Sequence, residues 1–383
     1  MAIRLPPLDE LTVWNTSNCN LRCDYCFVYK LYTDIPRQEM SVETMDALIH
    51  FAMHHLRFNG KIWFFGGEPF ASFETMKYIT EKARAENLAI TFGVTTNCTL
   101  IDEEKARWMA KYGYGVLCSI DGVPQLHDRH RRHPDGSGSW SEAWNGIKLV
   151  RKYVNVNPQI RWTVDVDTVE GVTESMKAFI SVGLTNLAID LVYEVEWDDD
   201  SLETLRGELM EMSGLLDECY SRGIPVFSMF VRDTLSAVSS RHRVSWSGRC
   251  GLGMGSVGVT PKGEITPCHR FVSSMATVGE PEIGDVYRGF SPKRIEWIRK
   301  WVTIPPYSEK PELCLNCKFR MACMGGCLAL NYDLFGDPHV IPESFCKIKN
   351  IVVEVFRQLV LKHIGNPVFR QLYGVGMHRM CIE

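Results

Sequence analysis

In the first half of the chain the apolar positions follow two periods in turn. Short apolar, β-rich runs at residues 11–14, 61–65, 89–95, 115–119, 160–166 and 186–192 predict strands. The segments at 41–56, 73–86, 102–111, 139–153, 172–182 and 201–222 carry apolar residues at helical spacing and predict helices. Ser41 with Thr44, and Asp102 with Lys105, supply caps at two helix starts without forming a full capping box. Six strand–helix units in succession predict an α/β fold on a parallel sheet, because strands that point the same way need a crossover between them. No apolar run reaches the ~18 residues of a membrane span.

Length and charge narrow this only a little. A chain of 383 residues, at roughly 150 residues per domain, predicts two to three domains with sizeable cores. The formal net charge of −4 favours neither nucleic acid nor a membrane surface as a partner, since both ask for a basic excess or stripe. The basic stretch 127–133 lacks interleaved aromatics and reads as a solvated loop. Acidic residues at 194–200 read as a loop and helix start. Residues 1–10 hold two prolines and mixed charges in place of a secretory signal, so the expected compartment is the cytoplasm. In a reducing compartment the 14 cysteines read as metal ligands, where an oxidising one would suggest disulfides.

Ten of the 14 cysteines fall into two groups. The first, Cys19-x3-Cys23-x2-Cys26, follows the first predicted strand and offers three thiolates where a complete [4Fe–4S] site needs four. An iron without a protein ligand is open to a small molecule that presents an amino and a carboxylate group together. Structural zinc, the alternative, asks for four ligands in paired knuckles, and no second knuckle follows nearby. The run Cys19-Asn-Leu-Arg-Cys23-Asp-Tyr-Cys26-Phe27 resembles the signature of radical SAM enzymes. That resemblance implies a cluster on Cys19, Cys23 and Cys26, S-adenosylmethionine (SAM) on its open iron, and a partial (β/α)6, TIM-like barrel with its chemistry at the carboxyl ends of the strands.

Later motifs stand at the ends of successive predicted strands. Gly66-Gly67-Glu68-Pro69 follows the second, with glycines that let the backbone approach a ligand closely. Thr96-Asn97 follows the third, and Ser119-Ile-Asp121-Gly122 the fourth. Taken singly, Gly-Gly-Glu-Pro and Ser-Ile-Asp-Gly are ordinary turns; their order downstream of the cysteine loop is what argues for a site. By resemblance, Gly66, Gly67 and Glu68 bind the methionyl amine of SAM, Thr96 and Asn97 edge its pocket, and Ser119 and Asp121 contact its ribose. Arg131 becomes the partner of the SAM carboxylate, whose geometry a guanidinium matches, with Arg129 and Arg132 as alternatives. Cys98 faces the same pocket as a further candidate, and Cys118 reads as core.

The second group comprises Cys250, Cys268, Cys314-x2-Cys317-x5-Cys323-x3-Cys327 and Cys346. By itself, Cys314–Cys327 suits a zinc ribbon as well as an iron–sulfur cluster. Behind a radical SAM core it is similar to the SPASM domain, which implies two auxiliary [4Fe–4S] clusters. One would take Cys314, Cys317, Cys323 and Cys346, the other Cys250, Cys268 and Cys327. This second cluster is one ligand short: either one iron is open, or Cys381, Cys219, His242, His269 or a carboxylate completes the set. The expected domains are 8–230, the barrel; 231–350, the SPASM domain; and 351–383, a carboxyl-terminal helix and tail.

The resemblance implies three [4Fe–4S] clusters with SAM, an electron from flavodoxin or ferredoxin, and a 5′-deoxyadenosyl radical that abstracts hydrogen from a peptide or protein substrate. The expected activity is oxidative maturation of a ribosomally made peptide, by crosslinking or a related change. Alternatives are formylglycine formation in a sulfatase, peptide epimerisation, oxidation of a small molecule, and a non-catalytic electron relay. Sulfatase maturases carry an aspartate base after the cysteine matching Cys268; here His269 stands there and is the candidate base. With the cysteine loop at Cys19, leader recognition is expected of the barrel mouth, the 194–200 segment, the SPASM surface or a separate protein.

Overall fold

The computed structural model describes residues 5–28, 37–239, 252–272, 282–301, 317, 323 and 325–374. The chain divides into two compact units: Met1–Ser119, His130–Val156 and Trp246–Pro305 form one, and Ile120–Arg129, Asn157–Ser245 and Pro306–Glu383 the other.

The first unit is built on β1 (Leu8–Thr16), β2 (Leu56–Gly66), β3 (Thr91–Thr96) and β4 (Gly115–Ser119), parallel neighbours in that order. Helices α1 (Val42–His55), α2 (Phe73–Ala85) and α3 (Glu103–Tyr112) make the crossovers. Both expected caps form: Ser41 accepts the Thr44 N–H and Asp102 the Lys105 N–H, satisfying donors that the first helical turn leaves unpaired. Alternate strand residues Leu11, Val13, Ile62, Phe64, Phe92 and Val94 are buried, as are Leu48, Ile49, Met76, Ile79, Ala106 and Met109 at helical spacing. β2 is longer than its apolar run, starting where α1 ends, because Arg57, Asn59 and Lys61 mask its first half with polar side chains.

The stretch 127–133 corrects the expectation of a solvated loop. Residues Pro124–His130 form a short helix, α4, and His127, His130 and Arg131 are buried. Each of these polar groups is held by specific partners, which is the condition for burying it. Helix α5 (Trp140–Tyr153) then completes this part of the first unit.

In the second unit β5 (Gln159–Val164), β6 (Asn186–Leu191) and β7 (Phe227–Ser228) run parallel. Ile160, Trp162, Val164, Leu187, Ile189 and Leu191 are buried. Helices α6 (Val172–Ser181), α7 (Asp199–Ser221) and α8 (Met229–Ser239) follow the strands, and the edge of Trp162 meets Phe179 of α6 at 5.8 Å. Asp198 of the acidic segment caps α7 by accepting the Ser201 N–H.

The chain then returns to the first unit. β8 (Ser256–Val259) pairs parallel with β1, and β9 (Glu264–Thr266), β10 (Gly284–Asp285) and β11 (Gly289–Phe290) continue the sheet antiparallel. These strands of two to four residues are too short for a period to register in sequence. Helix α9 (Lys293–Trp301) follows in this unit, then α10 (Leu328–Phe335), α11 (Glu343–His363) and α12 (Pro367–Tyr373) in the second. There α11 packs on α7 and α8, with Lys362 and His363 both donating to Asp217. Among the described residues no helix is long and apolar enough to cross a membrane.

Candidate active site

The three-cysteine loop leaves the carboxyl end of β1. Cys23 is buried, and Cys19 and Cys26 are half-buried. Leu21 N–H reaches Cys19 Sγ at 3.4 Å, Asn97 Nδ2 lies 3.9 Å from the same sulfur, and Cys26 N–H donates to Cys23 O at 3.1 Å, curling the loop. Burial pushes the Cys19 thiol up to about 12, with the Glu68 carboxylate adding to the shift. A lone thiolate is therefore unfavourable here, and a bound cation supplies the missing positive charge, so the donor set fits an iron–sulfur cluster.

The glycines after β2 bring that turn close against the start of the cysteine loop. A Cβ on Gly67 would lie 2.1 Å from Asn18 O, and one on Gly66, at φ +116°, would lie 2.6 Å from Thr16 O. Gly67 N–H donates to Thr16 O at 3.0 Å and Glu68 N–H to Asn18 O at 2.6 Å. The absence of side chains thus lets two backbones hydrogen-bond just before Cys19.

Glu68 is 1% exposed. Its carboxylate accepts from Phe70 N–H at 3.1 Å, Thr96 Oγ1 at 2.8 Å and Asn97 N–H at 2.7 Å, tying the end of β2 to the end of β3. Burial raises its pKa to about 7, against the opposing pull of those donors and of Arg131. Asn97 Nδ2 also donates to Asn20 Oδ1 at 3.0 Å, and Asn20 Nδ2 to Thr99 Oγ1 at 2.7 Å. The structure thus joins Cys19, Glu68, Thr96 and Asn97 in one hydrogen-bonded patch. Asn20 and Thr99 belong to it too, and only the folded loops reveal them.

Cys98 lies beneath that patch. It is fully buried with φ +65°, and its carbonyl meets Gly146 of α5 where a Cβ would approach to 2.0 Å. Burial and a bond to Cys118 push its thiol well above the ordinary range. Ser119 is buried at the end of β4. In the second unit Asp121 Oδ1 accepts from Thr163 N–H at 2.9 Å, and Asp121 N–H donates to His127 Nδ1 at 3.1 Å.

The turn bearing Cys268 and His269 sits over an aromatic shelf of the first unit. His269 meets Phe65 at 4.8 Å between ring centroids, and the Arg270 guanidinium lies 4.9 Å over Phe27. Phe27 and Phe65 stack at 6.2 Å and pack with Trp14 and Cys26. His269 is thereby brought to the end of β2 and Arg270 to Phe27 beside Cys26, proximities that no local pattern in the sequence signals. In the second unit Cys317, Cys323 and Cys346 are half-buried and Cys327 is exposed. Gly325 N–H reaches Cys323 Sγ at 3.4 Å, and the first turn of α11, which carries Cys346, docks Phe345 on Tyr193 at 5.0 Å. Cys250, Cys314, Cys381 and His242 lie outside the described residues.

The three cysteines and the Gly-Gly-Glu turn thus stand at the carboxyl ends of adjacent parallel strands. Residues 16–190 match the family model of the Radical SAM superfamily, a family that implies a [4Fe–4S] cluster and SAM. The chain is close to the anaerobic sulfatase-maturating enzymes. It is 24% identical over 337 residues to the cysteine-type anaerobic sulfatase-maturating enzyme of Clostridium perfringens, covering 84% of this chain and 89% of that one. A serine-type enzyme of Bacteroides thetaiotaomicron is 28% identical over 142 residues, 35% of this chain and 34% of its own. The fold matches native anSMEcpe with bound AdoMet and Cp18Cys peptide at a TM-score of 0.75 and 22% identity, over 94% of this chain and 99% of that one. Streptococcus suis SuiB bound to precursor peptide SuiA matches at 0.60 and 18%, over 90% and 76%.

Proposed function

We propose that the chain is a radical SAM maturase that oxidatively modifies a ribosomally made peptide or protein. The observation that carries this reading is the hydrogen-bonded patch joining Cys19, Glu68, Thr96 and Asn97 at the ends of three adjacent strands. Cys19, Cys23 and Cys26 would hold the cluster, and Gly66, Gly67, Glu68, Thr96, Asn97, Ser119 and Arg131 would hold SAM, with Asp121 carried over from the resemblance alone. When bound, the cluster and SAM supply a 5′-deoxyadenosyl radical able to take hydrogen from an unactivated carbon. Arg131 pairs with the SAM carboxylate, and buried Glu68 fixes the strand ends around it. His269, held on Phe65, takes up a substrate proton.

Residues 8–230 form the catalytic core and 351–383 the terminal helix and tail. Residues 231–350 form a SPASM domain in which Cys250, Cys268, Cys314, Cys317, Cys323, Cys327 and Cys346 hold two auxiliary clusters. Bound there, such clusters would accept the electron left on the oxidised substrate, and a flavodoxin or ferredoxin would supply the electron that starts the reaction. Solved relatives with bound peptides, Cp18Cys and SuiA, support a peptide substrate.

Formylglycine formation is the second reading, favoured by the near full-length match to the clostridial maturase. Anaerobic co-expression with the small proteins encoded beside this one, followed by intact mass, separates the two. Loss of two hydrogens supports peptide oxidation, and conversion of a cysteine to an aldehyde supports the second reading. A reduced, cluster-loaded chain that forms no 5′-deoxyadenosine from SAM refutes both.

A further inference from the structure

The segment His130–Arg132 grips the cysteine loop at three places. His130, 5% exposed, places Nδ1 2.8 Å from Asp24 Oδ1, between the second and third cysteines. Its ring lies 5.5 Å from that of Tyr25, and the Arg131 guanidinium stands over the Tyr25 ring at 5.5 Å. Arg132 O accepts the Arg22 N–H at 2.7 Å. The segment is itself anchored, since Ser139 Oγ donates to Arg131 O at 2.7 Å.

The asymmetry at His130 is informative. Its ring is buried, while the Asp24 side chain that meets it is 63% exposed, so water could satisfy the carboxylate without the histidine. A contact with so exposed a carboxylate adds little to stability, but it does fix where one loop stands relative to another. Directly beside it in sequence is Arg131, also buried.

We propose that His130 is a positioning residue for SAM. By holding Asp24, it sets the separation between the Arg131 guanidinium and the loop that carries Cys23 and Cys26. A carboxylate that meets both the Arg131 guanidinium and the open iron needs that separation held constant, because misplacement by an ångström costs much of the benefit of a second contact. The inference rests on the assignment of SAM to this site.

The test is anaerobic calorimetric titration of SAM into the cluster-loaded enzyme, with EPR spectra of the reduced protein before and after SAM. In His130→Ala the SAM dissociation constant rises roughly tenfold, the scale of one hydrogen bond to a charged group, and the SAM-induced change in the spectrum is reduced. His130→Gln, which keeps a donor, restores both. Asp24→Ala, at an exposed side chain that leaves the core untouched, gives the same loss, and the double variant is no worse than either single one. Wild-type affinity and spectrum in Asp24→Ala overturn the proposal, as does failure of glutamine to rescue. A wild-type spectrum that does not respond to SAM refutes the SAM site itself, a different result.

Discussion

Replacing Gly67 with alanine tests what the Gly-Gly turn is for. The new Cβ would meet Asn18 O at 2.1 Å, Asn18 C at 2.5 Å and Ser17 C at 2.7 Å, all of them backbone atoms that no side-chain rotation can move away. Contacts under 3.0 Å are essentially never seen for a real Cβ, so the two segments must part by about 1 Å. That motion strains the Glu68 N–H to Asn18 O bond of 2.6 Å and pushes directly on the residue before Cys19. Overpacking of this kind costs about 1–3 kcal/mol, and an ångström of misplacement at a reacting centre costs ~100-fold in rate. The expected result is lowered iron content and a ~100-fold fall in 5′-deoxyadenosine formation from SAM, measured on anaerobically reconstituted protein. Gly207→Ala is the control. It lies inside α7 with nothing within 4 Å of its would-be Cβ, so it stabilises by about 0.5–1 kcal/mol and leaves iron content unchanged. A Gly67→Ala enzyme with normal iron and normal turnover would refute the argument that this backbone approach shapes the loop.

Glu68 carries a pKa raised from 4.5 to about 7. In the cluster-free protein its contribution is complete below pH 4.5 and is lost as pH rises through about 7, at most about 3 kcal/mol. Glu68→Gln should flatten the melting temperature across that window, and an unchanged slope would mean that the carboxylate is not ionising there. Asp217 has the opposite sign, its pKa lowered by hydrogen bonds from Lys362 and His363. Its stabilisation is present above the ordinary carboxylate range and is lost on acidification, so acid titration of Asp217→Asn should show a shallower fall in stability than wild type. Trp162→Ala removes a fully buried indole packed on Phe179 and should cost 3–5 kcal/mol by denaturant unfolding. A cost below about 1 kcal/mol would show that the site collapses around the loss.

The class of chemistry was legible in sequence because its signals are local. Three cysteines within eight residues, Gly-Gly-Glu-Pro after a strand and six alternations of strand and helix are each set by neighbours along the chain. Tertiary structure decided what those residues touch. Cys98, next to Asn97 in sequence, turns under α5 because β3 ends at Thr96 and the chain bends at a positive φ at Cys98. His127, His130 and Arg131 look like a solvated basic run until Asp121 and Asp24 are brought to two of them. His269 meets Phe65, and β8 meets β1, only after more than two hundred intervening residues have folded. A local pattern reports the backbone state that neighbours favour; it carries no information on which distant surface completes a polar group's hydrogen bonds, and that pairing is what converts a motif into a site.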